Sequence, residues 1–164
     1  MKVSYIVTVH NKALYLPLVV QGLATQEGDF EREFIFVDDG STDDSAKVLR
    51  QVKETLPGRV EIIEQPNSGP AVASNKGFEA STGELIKFVD GDDMLLPWAT
   101  KVLTDTMLAA GHIYAFGINP IPVDYDNTVA QNIGRIITRI RSDIDDLDPL
   151  VWDQPLDYVI RRAH

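Results

Sequence analysis

The chain has 164 residues, no cysteine, 44% hydrophobic residues and a formal net charge of −10. Length and composition suit one soluble globular domain with a sizeable core. The acidic balance argues against nucleic-acid binding, which needs a basic face, and the lack of cysteine excludes disulfides and thiolate metal sites. No apolar run reaches the ~18 residues that span a membrane. Met1 and Lys2 lead straight into a strand-like stretch rather than a signal peptide. A cytoplasmic protein is expected, peripheral to a membrane at most.

Residues 3–9 (VSYIVTV) are apolar and β-branched and read as a strand, and residues 12–25 place Leu14, Leu18, Val19 and Leu23 at helical spacing. Residues 33–37 (EFIFV) form the second strand. After them comes DDGSTDDS, a turn whose Ser41, Thr42 or Asp43 is suited to cap a helix carrying Ala46, Leu49 and Val52. Residues 60–63 make a short strand, and 70–80 a helix of small residues, with Gly69 and its neighbours expected to permit close packing. The next strand, 84–89 (ELIKFV), runs into an acidic cluster. A helix over 97–108, with proline in its first turn, and a strand over 112–118 follow. Alternation of this kind predicts an α/β fold: a mostly parallel sheet between two helical layers.

Beyond residue 118 the pattern changes. Residues 129–140 put Val129, Ile133, Ile136, Ile137 and Ile140 on one helical face, with Arg135, Arg139 and Arg141 largely elsewhere. Three arginines followed at once by an acidic stretch favour packing under the sheet, or against another subunit of a homo-oligomer, over a membrane surface. The division expected is a core over 1–118 and a short, helical extension over 119–164, packing on the core or a partner subunit.

In open α/β sheets, ligands bind at the carboxyl ends of the strands, where strand order reverses. Polar residues collect at three such ends: His10 and Asn11, Asp38 and Asp39, and Asp90 to Asp93. If the first strand lies between the second and fourth, one cleft receives all three. In FVDGDD the carboxylates of Asp90, Asp92 and Asp93 crowd around Gly91, and the cation close in sequence is Lys87. Such oxygen donors suit Mg²⁺ or Mn²⁺, which take one or two carboxylates and complete their shell with phosphate oxygens. A metal on Asp92 would offset the repulsion between this acidic protein and a diphosphate, and would stabilise that diphosphate as it departs. Gly91 lets the chain turn sharply and leaves room for a ligand. Asp39 is placed to accept a hydrogen bond from the imide N–H of uracil or thymine.

Each segment also has a plainer reading. DGDD can be a solvated turn, His10 a hydrogen-bonded structural histidine, and SGPAVASNKG lacks the Gly-Lys-Ser/Thr ending of a phosphate loop. Their conjunction carries more weight. VSYIVTVHNKALYL, EFIFVDDGSTDDS, NSGPAVASNKGFEASTGELIKFVDGDD and MLLP, in that order, resemble the N-terminal half of the family-two glycosyltransferases of GT-A fold, over roughly the first 110 residues. The resemblance implies a Rossmann-like, three-layer α/β/α core. It implies transfer of a hexosyl group from a nucleotide diphospho-sugar to an acceptor hydroxyl, usually with inversion and with a divalent metal. Thr8, Val9, His10 and Asp39 would surround the base. Asp90 and Asp92 would be the ends of the Asp-x-Asp motif, Asp90 near the ribose beside Gly91 and Asp92 on the metal.

There are departures. Thr8 stands where proline is frequent, His10 where tyrosine is, and Ser74, before Asn75, where arginine is. QNIGRI at 131–136 is not the Gln-x-x-Arg-Trp motif of processive members. The base of the family comes from beyond the resemblance, and Asp124 and Asp126 are candidates here by position alone. Donor class is expected to be a UDP-sugar; the acceptor is a saccharide, a lipid-linked group or a protein. A truncated, non-catalytic nucleotide-sugar-binding or interaction module is the alternative. An aspartyl-phosphate phosphotransferase is opposed by Met94 where threonine is usual, and a nicotinamide dehydrogenase by the absence of a glycine fingerprint after the first strand.

Overall fold

The computed structural model describes residues 1–111, 114–118 and 155–161. Strands and helices alternate: β1 (Lys2–Val9), α1 (Leu16–Ala24), β2 (Glu31–Asp39), α2 (Ser45–Val52), β3 (Arg59–Gln65), α3 (Pro70–Ala80), β4 (Leu85–Asp90) and α4 (Ala99–Ala110), then β5 (Tyr114–Ile118) and β6 (Pro155–Arg161). One sheet takes them in the order β3-β2-β1-β4-β6-β5. The first four strands are mutually parallel, and β6 runs antiparallel to both neighbours. This is the expected α/β class, and β1 does lie between β2 and β4.

Side-chain alternation along the strands makes two cores. Val3, Tyr5, Val7 and Val9 of β1 point with Phe34, Phe36, Leu85 and Val89 toward Leu16, Val19 and Leu23 of α1, Leu49 of α2 and Leu103 and Met107 of α4. The Tyr5 and Phe34 rings stack there at 5.2 Å. Ile6, Ile35, Val37 and Ile86 face the other way, with Ala73 of α3. A Cβ on Gly77 would come within 2.3 Å of Ile6 Cγ2, so α3 sits against the sheet because Gly77 has none. Gly69 does not share that role, as the sequence led us to expect. No atom lies within 4 Å of where its Cβ would stand, and its φ of +91° shows that it serves the turn into α3 instead.

At the amino end of the sheet Glu33 is completely buried. Its carboxylate accepts hydrogen bonds from the Ser4 hydroxyl and the Thr82 amide, from Thr82 Oγ1 at 2.8 Å and from the Gly83 amide at 3.0 Å. Arg59 Nη1 lies 2.9 Å and Lys2 Nζ 3.5 Å from Oε2. One side chain thereby ties β1, β2, β3 and the turn into β4. Burial raises the carboxyl's pKa, but the Ser4, Thr82 and Arg59 contacts outweigh it and hold the group at about 2.

Two elements differ from the sequence reading. Helix α1 begins at Leu16, not near residue 12: Pro17 sits in its first turn, where its missing N–H costs nothing, and residues 12–15 form a separate turn closed by the Tyr15 amide on the Lys12 carbonyl at 2.9 Å. Residues 155–161, expected within a helical extension, form β6 and pair with β4, Lys87 opposite Val159. The partner that selects strand there is an open sheet edge some seventy residues earlier in the chain. The rest of 119–164, including the helix expected over 129–140 and both Asp124 and Asp126, lies outside the described residues.

Candidate functional site

Four loops meet at the carboxyl ends of β3, β2, β1 and β4. Register sets their level: Thr8 pairs with Val37 on one side and Asp90 on the other, and Val9 pairs with Asp38. The Thr8 hydroxyl donates toward Asp90 Oδ1 at 3.5 Å. Gly91 lies directly on β1, where an added Cβ would stand 2.8 Å from the Thr8 carbonyl oxygen and 3.4 Å from Val9 Cα. Asp-Gly at this point is thus a matter of close approach between backbones as well as of turning. The Val9 side chain is buried in the core, so its backbone is what it presents to the cleft.

The second cluster centres on Asp39, which is 4% exposed. Its Oδ1 accepts from Gln65 Nε2 at 2.8 Å and the Ser68 amide at 2.7 Å, and its Oδ2 from the Gly69 amide at 2.8 Å. Burial pushes this carboxyl up, but those donors outweigh it and leave the pKa below the ordinary aspartate value. One Oδ2 lone pair remains for an imide N–H. His10 Nδ1 is 2.8 Å from the Asp39 carbonyl oxygen. A carbonyl only accepts, so Nδ1 carries the proton, and Nε2 is left to accept from Asn11 Nδ2 and Asn67 Nδ2, each at 3.3 Å. The ring is thereby fixed in both tautomer and orientation.

Asn11 was noticed in the sequence only by position, and its role is larger. At φ 54° it is the one non-glycine residue with positive φ among the described residues. Its Oδ1 accepts from the Thr42 amide at 2.8 Å and the Asp43 amide at 3.3 Å, and its own amide donates to Ser41 Oγ at 3.0 Å. The loops after β1 and β2 therefore move as one piece. The N-cap of α2 is Asp44, not Ser41, Thr42 or Asp43, and its side chain makes no capping hydrogen bond; Asp43, one residue earlier, accepts the Ser45 amide at 2.9 Å. Asn tolerates the left-handed conformation better than other non-glycine residues, and Asn directly after a strand is the signal that marked it.

The acidic turn completes the site. Asp93 donates its amide to the Asp90 carbonyl at 2.9 Å, closing the turn. Asp92 forms an ion pair with Lys12 Nζ, a cation eighty residues earlier that the sequence reading overlooked in favour of Lys87. Adjacency of β1 and β4 is the signal that would have found it. Lys87 is buried within the sheet, where desolvation pushes its ammonium down to about 7 and Asp93 opposes the shift. The Asp93 carboxyl is raised, first by burial and then by the negative charge of Asp90 and Asp92.

The donor set fits a hard divalent cation. Asp90, Asp92 and Asp93 offer only oxygen, and three carboxylates within four residues concentrate negative charge that a cation would relieve. Among the described residues no three acidic or imidazole groups are placed to hold a metal ion by themselves. Thr8, Val9, His10, Asp39, Asp90, Gly91 and Asp92 all stand at this single end of the sheet.

An open, mostly parallel sheet with polar loops and an acidic turn at a strand-order reversal makes an α/β domain of GT-A type. The model for the family described as Glycosyl transferase family 2 matches residues 4–151, and the chain belongs to that family. An uncharacterised glycosyltransferase of Nostoc sp. is 40% identical over 97 residues, covering 59% of this chain and 30% of its own. The poly(ribitol-phosphate) beta-N-acetylglucosaminyltransferase TarS of Staphylococcus aureus is 34% identical over 98 residues, covering 58% of this chain and 17% of its own. The crystal structure of TarS 1–349 with UDP superposes with a TM-score of 0.64 at 26% identity, over 76% of this chain and 38% of that one. A mannosyltransferase of Pyrobaculum calidifontis, in complex with GDP-Man and Mn²⁺, gives 0.54 at 28% identity, over 61% and 30%. This chain spans less than a third of the length of the two curated relatives named. No helix among the described residues is long and apolar enough to cross a membrane.

Proposed function

We propose that the chain carries the donor-binding part of a glycosyltransferase that moves a hexosyl group from a nucleotide diphospho-sugar, a UDP-sugar in the first instance, to an acceptor hydroxyl with inversion. The observation that carries this reading is the convergence of the His10–Asp39 cluster and the Asp90–Asp93 turn at one end of β1, β2 and β4. The complexes of TarS with UDP and UDP-GlcNAc, and of the mannosyltransferase with GDP-Man and Mn²⁺, support it by likeness.

The residues divide the work. His10 offers a fixed ring beside which the base packs, with Thr8 and the Val9 backbone forming the adjacent floor. Asp39 takes the imide N–H on Oδ2, Asp90 faces the ribose, and Gly91 keeps the space above β1 clear. Asp92 holds the divalent cation, Mn²⁺ or Mg²⁺. When bound, that cation supplies charge to neutralise the diphosphate and to stabilise it as leaving group. The acceptor hydroxyl attacks the anomeric carbon in line, opposite the diphosphate, and loses its proton to a carboxylate base. The sequence's candidates for that base, Asp124 and Asp126, lie outside the described residues. Holding donor and acceptor in register accounts for much of the acceleration.

The test is calorimetric titration of UDP, GDP and dTDP with and without Mn²⁺. We expect UDP to bind tightest and only with metal present, and Asp92→Asn to weaken that binding by about 10–100-fold, the range for a disturbed metal site. Equal UDP binding by native and Asp92→Asn protein would remove Asp92 from the metal. Failure of all three nucleotides to bind would leave a family fold without its donor site.

A further inference from the structure

Lys12 is pinned at its backbone, and its tip reaches across to the acidic turn. Its amide donates to Ser45 Oγ at 2.9 Å, and its carbonyl accepts from the amides of Tyr15 and Leu16 at 2.9 and 3.1 Å. The side chain crosses Gly91, where an added Cβ would lie 3.2 Å from Lys12 Cγ, and ends in an ion pair with Asp92. The absent side chain at 91 is what opens this path. Both partners are partly solvent-exposed, at 32% and 39% of their side-chain surface, so the pair is weak enough to break and remake. A protein with a net charge of −10 holds here a partly exposed positive charge against the acidic turn, and Nζ also lies over the Tyr15 ring, 5.8 Å from its centroid.

We propose that Lys12 is a resident counter-ion that links cation and diphosphate binding: it occupies Asp92 in the empty site, yields it to the divalent cation, and swings to the diphosphate. This rests on the donor-site reading above and adds a residue that reading does not use. Lys12 makes free metal bind poorly, because the cation must first break the ion pair. Nucleotide reverses that penalty, because its diphosphate gives the displaced ammonium a new partner. Metal and nucleotide therefore bind with positive coupling, and by linkage each strengthens the other equally.

The experiment compares native protein with Lys12→Met, titrated with Mn²⁺ alone, UDP alone and UDP in saturating Mn²⁺. In Lys12→Met we expect Mn²⁺ alone to bind about two- to fivefold tighter, the factor that an exposed ion pair converts to. UDP in saturating Mn²⁺ should bind several-fold more weakly, so the two effects have opposite sign and the coupling shrinks. Lys53→Met, which removes the same charge at the far end of α2, should change neither. Lys12→Gln, equally neutral and of similar bulk, repeats the measurement should Lys12→Met fold poorly. Unchanged coupling in the Lys12 variants, with native protein binding UDP and Mn²⁺, overturns this inference and leaves the donor site intact. An equal change in Lys53→Met reduces it to bulk charge. No metal-promoted UDP binding by native protein overturns both readings.

Discussion

The two ends of this sheet handle carboxylates in opposite ways. At the amino end, Glu33 is buried and met by four hydrogen-bond donor groups and two cations, and its pKa is held at about 2. At the carboxyl end, Asp90, Asp92 and Asp93 stand within four residues, more exposed, and burial followed by the charge of the other two raises Asp93. A carboxylate surrounded by fixed donors is part of the framework. A group of carboxylates sharing more negative charge than its surroundings offset is ready for a ligand. Asp39 stands between the two cases: it lies at the same end as the acidic turn and three donors hold it, yet one Oδ2 lone pair stays open.

Removing Glu33 should have the largest effect. Glu33→Ala leaves Arg59 and the Thr82 and Gly83 amides without their acceptor, and we expect a loss of about 3–5 kcal/mol in denaturant unfolding, as for a broken buried pair. A loss under ~1 kcal/mol would erase the contrast between the ends. Acid sharpens the same point. The folded pKa of Glu33 lies below its unfolded value, so its contribution is complete above about 4.5 and is lost as pH falls toward about 2. A shift of that size is worth on the order of 3 kcal/mol. Unfolding measured between pH 6 and pH 2 should therefore steepen in that window for native protein and less so for Glu33→Gln. The smallest effect belongs to the other end. Asp92→Asn should leave stability within about 0.5 kcal/mol of native, because the lost Lys12 pair is offset by reduced repulsion, while the same substitution weakens UDP–Mn²⁺ binding. A large destabilisation would make the acidic turn framework instead of site.

Local chemistry explains what the sequence made legible. Proline at the first position and the break at Ser81 delimit α3 over the span expected, 70–80. The parallel strands announce themselves as apolar runs, and the site's acidic turn by its crowding. What stayed hidden depends on residues far apart in the chain. Lys12 meets Asp92, and Gln65 and Ser68 meet Asp39, only because the crossovers bring those strand ends together. PLDYVIR carries β-branched and aromatic residues, but nothing local says that it pairs with β4.

That pairing has a consequence in time. Strand β4 leads into the acidic turn, and its second edge is covered by β6, which is made some seventy residues later. On a ribosome adding about 5–20 residues per second, the β1–β4 sheet has several seconds with that edge uncovered. An uncovered edge is a template for pairing with another chain, and Lys87 on β4 places a charge there in the meantime. Nascent chains released before residue 155 should therefore associate more readily than chains that include β6.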